Sequence, residues 1–389
     1  MRIVAVGGCG EMGCHAVATA LRYPFVEQII IADRDQERAA GFATTCGSKT
    51  SAVSLDAEDE DALRHLLRGA DVVLNTAGPF YRFGIKVLRA AIEAGCHYLD
   101  INDDWEPTLE MLEMDERARR AGVTAVVGMG ASPGVSNLLA AKAMRPLDRV
   151  DAVYTAWSLE GARAEQQQSA SGAAQSHAPS AAIVHFLHQI TGTIRIRRNG
   201  AFVDCKPIEE VRLEWPGVFD GCGWTVGHPE ALTLPRYRPE IRNSANLVLA
   251  SRTVIKVLKE VARAIDAGQL TESDAAAMLA QPLPEPDPAA EAEPAPGPPL
   301  FALALGVRDG KPTTAGALIQ AAPAGGMGGA TGVPLAVGLD LVARHRITRA
   351  GVFAPEAAVD PDAFFDVLAP LCTPPKTSHE GLVLVAGPH

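Results

Sequence analysis

The sequence has no Cys-x-x-Cys pair, no surplus of basic charge, and no apolar run approaching the roughly 20 residues that cross a bilayer. Each absence excludes something. The seven cysteines are scattered and odd in number, which argues against a disulfide framework and points to free thiols in a reducing cytoplasm. Without a long apolar run, no membrane partner is expected. A formal net charge of −11, from 46 acidic and 35 basic residues, argues against a nucleic-acid partner, which needs a basic face. The first apolar run follows Met1 almost at once, leaving no room for a signal peptide. No internal repeat is present. What remains is a chain of 389 residues, 47% hydrophobic and 21% charged, of a length that suits two domains or three.

The informative residues are concentrated at the start. Gly8-Cys9-Gly10-Glu11-Met12-Gly13 follows the apolar run Ile3-Val4-Ala5-Val6 and precedes a helical stretch at 14–23. A second apolar run, Ile29-Ile30-Ile31-Ala32, is closed by Asp33. A lone GxGxxG means little, but between a buried strand and a helix, with an acidic residue ending the next strand, it has the spacing of a dinucleotide-binding unit. Gly8 is expected to permit the tight turn, Gly10 to let backbone approach a pyrophosphate, and Gly13 to let helix and strand pack closely. Glu11 and Met12 fall in the first helical turn, whose N–H groups would face the phosphates. Asp33 would accept from the adenosine ribose hydroxyls and repel a 2′-phosphate, which favours NAD. Arg34 beside it keeps NADP open as the alternative. Asp56 would lie near the adenine.

Strands at 2–6, 28–32, 52–55, 71–75, 97–101 and 124–127 alternate with helices at 61–69, 83–94 and 105–121. That alternation predicts βαβ units and a doubly wound parallel sheet, a Rossmann arrangement. Its crevice lies beyond the carboxyl ends of the strands, which singles out Gly8, Asp33, Asp100 and the segment Asn75, Thr76, Ala77, Gly78, Pro79, Phe80. That segment would pass the pyrophosphate and nicotinamide ribose, with Phe80 or Tyr81 covering the nicotinamide. After Gly134 the pattern changes to a mostly antiparallel α+β region. Asn199-Gly200 between alternating runs marks a hairpin. The stretch 162–180 and the Pro-rich stretch 282–299 read as loops. Helices at 331–345 and 360–368 and a strand at 382–385 complete the chain. The domains expected are 1–130 for the dinucleotide, 131–325 for substrate and dimerisation, and 326–389 returning to the first.

The segment Asn75 to Phe80, together with His97-Tyr98-Leu99-Asp100, Gly128-Met129-Gly130-Ala131-Ser132-Pro133-Gly134, Gly227-His228-Pro229-Glu230, Leu234-Pro235-Arg236, Thr331-Gly332-Val333-Pro334 and Gly351-Val352-Phe353-Ala354-Pro355-Glu356, resembles the saccharopine dehydrogenase-like family. This family includes the saccharopine reductase, lysine 6-dehydrogenase and carboxynorspermidine dehydrogenase types. The resemblance implies an NAD(P)-dependent oxidoreductase acting at a carbon–nitrogen bond of an amino acid, an opine-like secondary amine or a carboxylated polyamine. It also implies a Rossmann domain with an inserted substrate domain, and a C-terminal return. Ser132 departs from the acidic residue that saccharopine reductases tend to carry there, which sets saccharopine itself in doubt.

Oxidising an amine requires a base, because the ammonium must lose a proton before its carbon gives up hydride. Asp100, at a strand's carboxyl end, would hold or deprotonate the substrate ammonium. His228, in a Gly-His-Pro turn where packing does not demand it, suits proton transfer near neutral pH. Arg238 offers a fork for a carboxylate. Ser132 and Tyr81 complete the expected catalytic set. His185 and His188 have no third ligand nearby, so no metal is expected. A small-molecule amine or amino acid is the expected partner, in a homodimer paired through exposed strands. The alternatives are a non-catalytic dinucleotide sensor, or a C=C or C=O reductase on the same fold.

Overall fold

The computed structural model describes residues 1–159, 181–281 and 297–387. The expected loop at 162–180 and residues 282–296 of the Pro-rich stretch lie outside the described residues. The chain divides into two compact units. One comprises Met1–Leu138 and Gln320–Val383, the other Leu139–Ile319 and Leu384–His389.

The first unit is built on β1 (Arg2–Val6), β2 (Gln28–Asp33), β3 (Thr50–Ser54), β4 (Val72–Asn75), β5 (His97–Asp100) and β6 (Thr124–Val126). Their order is β3-β2-β1-β4-β5-β6, with the late strand Gly351–Phe353 beside β6, and every pairing is parallel. Ile3, Val4, Ile29 and Ile31 are buried, as a strand covered on both faces requires. On one face Val4, Val73 and Tyr98 share a core with Leu63, Leu67, Val87 and Leu88 of the helices Glu60–Leu67 and Phe80–Ala94. The strand order reverses between β1 and β4, which opens a crevice at their carboxyl ends.

Two helices differ from their sequence reading. The stretch 105–121 is two helices, Trp105–Leu112 and Asp115–Ala121. The break lets Met111, Leu112 and Met114 all reach the core. The late helix runs Gly326–Ala343, five residues ahead of the expected start. Its glycines are poor helix formers and Pro334 ordinarily marks a first turn, so local propensity pointed to a later start. Packing overrides it. A Cβ at Gly332 would lie 2.2 Å from the Met12 carbonyl oxygen, and one at Gly328 would lie 2.9 Å from the His15 ring. The small residues are what let this helix lie against Glu11–Ala20. By length and composition it is apolar enough to cross a membrane, but 78% of it is buried within the protein, as in the core helix of a folded domain.

The second unit holds a nine-stranded sheet. Its strands are β7 (Arg149–Ser158), β8 (Ile194–Arg198), β9 (Ala201–Cys205), β10 (Glu210–Trp215), β11 (Phe219–Val226), β12 (Asn243–Leu249), β13 (Leu300–Arg308) and β14 (Lys311–Ile319), with the chain's last strand beyond β14. Among β7 to β14 the pairings are antiparallel except β12 on β7, which is parallel. Two hairpins turn on residue pairs with positive φ, Asn199 (52°) with Gly200 (87°) and Asp309 (50°) with Gly310 (73°). Such turns match the twist of the strands they join. The helix Arg252–Asp266, capped by the Ser251 hydroxyl accepting from the Val254 N–H at 3.2 Å, lays Val254, Ile255, Leu258 and Val261 on Trp224, Val226 and Val248.

Candidate active site

At the end of β1 the chain turns on Gly7, whose φ of +72° and crowding against Ala77 admit only glycine. The tight turn expected of Gly8 therefore belongs to Gly7, while a Cβ at Gly8 would lie 2.8 Å from the Ala5 Cβ. A Cβ at Gly13 would lie 2.4 Å from the Gly7 carbonyl oxygen and 2.8 Å from Thr76 Oγ1, so Gly13 sets the distance between helix and strand. Gly10 is different. Its φ of −70° suits any residue, and a Cβ there would meet only the Gly7 carbonyl oxygen, at 3.1 Å. Gly10 is the N-cap of Glu11–Ala20, and no side chain caps that helix. The N–H groups of its first turn and the positive end of its dipole are thus left for an anion.

Neighbouring strand ends converge on this turn. The Gly7 N–H donates to the Ala32 carbonyl at 2.8 Å, just before Asp33. The Thr76 hydroxyl donates to the Gly7 carbonyl at 2.9 Å. Asp33 is half-buried and accepts from the Asp35 N–H at 3.1 Å. Burial first, and then a hydrogen bond to the Asp33 carboxylate, push the Cys9 thiol up to about 12, so Cys9 is a filler and not a nucleophile. Arg34 and Asp56 are exposed, Asp56 accepting from the Glu58 N–H at 3.0 Å. Glu11 is exposed, while Met12 and Ala77 are half-buried.

Past β4 lies a buried polar network. Asn75 donates from Nδ2 to the Tyr98 hydroxyl at 3.1 Å and accepts from the Ala77 N–H at 3.1 Å. The Tyr98 hydroxyl donates to Asp100 Oδ2 at 2.7 Å, and Asp100 Oδ1 accepts from the N–H groups of Gly128 (2.6 Å) and Asn102 (3.1 Å). Asp100 is fully buried. Oδ2 thus braces Tyr98 within β5 and Oδ1 ties the strand to the loop leaving β6, whereas the sequence had pointed Asp100 at substrate. Asn102 continues the chain, its Oδ1 accepting from the Asp104 N–H at 3.0 Å, and Asp104 Oδ2 accepts from the Tyr81 N–H at 3.2 Å. Tyr81 is exposed and Phe80 buried, at the start of Phe80–Ala94 with Pro79 as N-cap and Gly78 exposed before it. Ser132 is half-buried in the loop where the Gly130 N–H donates to the Pro133 carbonyl at 2.9 Å.

Burial raises the Asp100 carboxyl to about 6, against the hydrogen bonds from Tyr98, Gly128 and Asn102 that favour its charged form. The folded state therefore holds this proton more tightly than the unfolded one. The group costs nothing below its unfolded value, and its cost grows as pH rises through about 4 to 6. Wild type should accordingly lose stability relative to Asp100→Asn across that window, by up to about 3 kcal/mol. Denaturant unfolding of both proteins at several pH values checks this. A difference that does not change with pH contradicts it.

The second unit carries its own buried cluster. His228 and Glu230 sit where β11 runs into the helix Glu230–Tyr237, and both are buried. His228 Nδ1 lies 2.7 Å from Glu230 Oε2. Asn246, on β12, donates from Nδ2 to Glu230 Oε1 at 3.2 Å and to the Thr155 hydroxyl at 2.8 Å, and accepts from the Trp157 indole N–H at 3.2 Å. Sequence reading found His228 but missed Asn246, Thr155 and Trp157. The signal available was a polar amide inside the apolar run of β12. Arg238, assigned to a carboxylate from sequence, is exposed and donates to Glu240 at 2.6 Å.

An uncapped glycine-turn helix at the switch point of a parallel sheet, with an acidic residue ending β2, has the form of a dinucleotide-binding domain. Residues 3–126 match the family described as saccharopine dehydrogenase NADP binding domain. Carboxyaminopropylagmatine dehydrogenase of Synechocystis sp. is 25% identical over 404 residues, covering 96% of each chain. A probable mitochondrial saccharopine dehydrogenase-like oxidoreductase of Arabidopsis thaliana is 28% identical over 153 residues, 35% of this chain and 34% of that one. The solved saccharopine dehydrogenase (L-Glu forming) of Saccharomyces cerevisiae superposes with a TM-score of 0.65 over all of both chains, at 16% identity, a likeness of fold. Residues 3–126 thus carry the saccharopine dehydrogenase NADP binding domain, and the whole chain is similar in sequence to one dehydrogenase and in fold to saccharopine dehydrogenase.

Proposed function

We propose that this chain is a dehydrogenase of a carbon–nitrogen bond, acting on an amino acid, an opine-like secondary amine or a carboxylated polyamine, or reducing the corresponding imine. The observation that carries this reading is the buried His228–Glu230 pair. It supplies a proton acceptor in the unit that accompanies the dinucleotide-binding one. The likeness over 96% of its length to a dehydrogenase named for carboxyaminopropylagmatine supports the same class.

The turn fits the cofactor, because Gly10 is open on its outer side and the first helical turn lacks a side-chain cap. Gly8, Gly10 and Gly13 would hold the pyrophosphate and Asp33 the adenosine ribose. The bound dinucleotide supplies the hydride acceptor. His228 takes the proton from the substrate ammonium, which frees the nitrogen lone pair. As the C–H pair departs, that lone pair forms the C=N bond, and water then splits the iminium to a carbonyl compound and a free amine. Glu230 faces the imidazolium that forms and stabilises its charge.

The Asp33 carboxylate makes NAD the preferred cofactor in this reading, although the family is described by NADP. Initial-rate assays with both cofactors and a panel of amino acids, opines and carboxylated polyamines test the proposal. Amine-dependent reduction of NAD is the expected result, with Asp33→Ser narrowing the gap to NADP. Turnover with carbonyl or alkene substrates and none with amines would refute it, and so would dinucleotide binding with no turnover at all.

A further inference from the structure

The hydrogen bonds between β4 and β5 run in one direction, and backbone groups fix that direction at both ends. A backbone N–H only donates, so the Asn75 side-chain atom 3.1 Å from the Ala77 N–H is its oxygen. The amide nitrogen of Asn75 then donates to the Tyr98 hydroxyl oxygen at 3.1 Å. At the other end, Asp100 Oδ1 accepts from the N–H groups of Gly128 (2.6 Å) and Asn102 (3.1 Å). Between these ends Tyr98 donates to Asp100 Oδ2 at 2.7 Å. Asn75, Tyr98 and Asp100 are all fully buried. The Asp100 carboxyl is raised only to about 6, so it is ionised at pH 7.5 and accepts on both oxygens. The chain of bonds ends on the crevice. Asn75 pairs in register with Val6 of β1, and the Thr76 hydroxyl donates to the Gly7 carbonyl at 2.9 Å. A Cβ on Gly7 would lie 2.7 Å from the Ala77 nitrogen. The turn at 75–77 therefore packs on the glycine turn after β1, at the switch point where a dinucleotide lies.

We infer that Asp100 is a positioning residue for the dinucleotide, holding the turn at 75–77 against the glycine turn through Tyr98 and Asn75. This rests on the cofactor reading of the first unit and not on the reaction proposed above. A proton on Asp100 reverses the chain of bonds. It must sit on Oδ2, because Oδ1 faces two N–H donors, and it is then donated to the Tyr98 oxygen. The phenol hydrogen loses its acceptor. Among the described residues, the other partner of that oxygen is the Asn75 NH₂, which is also a donor. Turning the Asn75 amide over gives the phenol an acceptor but sets NH₂ against the Ala77 N–H, and the turn loses its tie. Asp100→Asn imposes the same reversal at every pH, since its oxygen must face the two backbone N–H groups and its NH₂ must face Tyr98. The surroundings leave this role to Asp100. Asp103 acts on it by like charge, β4 and the loop leaving β6 present an amide and backbone N–H groups, and Asp104 is linked to it through Asn102. The helix Gly326–Ala343 meets β5 with Gly338 at Leu99.

Calorimetric titration of full-length wild type and Asp100→Asn with NAD and NADP, from about pH 7.5 down to about pH 5, reads this directly. The ratio of the two affinities cancels every other titrating group that the proteins and the ligand share. At the upper pH, Asp100→Asn should bind at least about 5-fold more weakly. The gap should narrow by about 3-fold or more at the lower pH, where wild type takes up the proton itself. Tyr98→Phe cuts the chain of bonds, so it should show the same weakening and the same narrowing. Adding Asp100→Asn to Tyr98→Phe should then change affinity no further. A merely structural role for Asp100 would give a deficit independent of pH. Wild-type affinity in Asp100→Asn at the upper pH overturns the inference, and so does a deficit that stays constant as pH falls. If Asp100→Asn does not fold, Tyr98→Phe is judged by the same two outcomes. Failure of both dinucleotides to bind overturns the inference together with the cofactor reading. The expected pH dependence in a protein that oxidises no amine upholds the inference and refutes the proposed function.

Discussion

Gly10→Leu should abolish dinucleotide binding and leave the fold intact. The backbone there has a φ of −70°, which leucine adopts freely, and the nearest protein atom to the new Cβ is a carbonyl oxygen at 3.1 Å that needs to yield only slightly. The added side chain occupies the space before the uncapped helix, where the pyrophosphate would lie. Affinity for NADH should fall by at least about 100-fold, equivalent to about 2.7 kcal/mol. The melting temperature should move by no more than about 2 °C. The neighbouring glycines provide the contrast. Gly13→Leu would drive a side chain into the Gly7 carbonyl, and Gly7→Leu would demand a left-handed backbone, so both should lose stability together with binding. Retained affinity in Gly10→Leu would mean that the turn is structural only.

The second large effect is expected at His228. Asparagine is the informative replacement, because its amide can still donate to Glu230 and spare that buried carboxylate an unpaired state. His228→Asn should lower kcat by about 10²- to 10⁴-fold, the usual range for losing a general base. Dinucleotide affinity should stay unchanged, since the replacement leaves the glycine turn and Asp33 as they are. The deficit should shrink as pH rises, because more of the amine substrate then arrives already deprotonated. A loss of activity that is the same at every pH would show that His228 only supports the structure.

What the sequence revealed, and what it hid, follows from the range of the interactions. The doubly wound sheet was legible because buried strands alternate with helices over short distances, and the glycine turn because its residues are contiguous. Gly7 was hidden within that same turn, because glycine composition does not say which residue takes the positive φ. Asp100 was legible as a carboxylate at a strand end. Its Tyr98 partner is two residues back on the same strand, but the Gly128 N–H and the Asn75 amide that continues the network are set by the parallel register of β5 beside β6 and β4, which a sequence does not print. His228 and Glu230 are two residues apart and could be noticed together. Asn246, Thr155 and Trp157 reach them only because β12 pairs with β7, a parallel pairing in a sheet expected to be mostly antiparallel. The glycines of Gly326–Ala343 misled for the opposite reason, since tertiary packing against Glu11–Ala20 outweighs their weak helix propensity.

The most direct test of the account is a calorimetric titration of the intact protein with NADH and NADPH in parallel, with and without a panel of L-amino acids, opines and carboxylated polyamines. The account predicts saturable binding of NADH, weaker binding of NADPH, and an affinity that tightens with one class of amine. Failure of both dinucleotides to bind would contradict it.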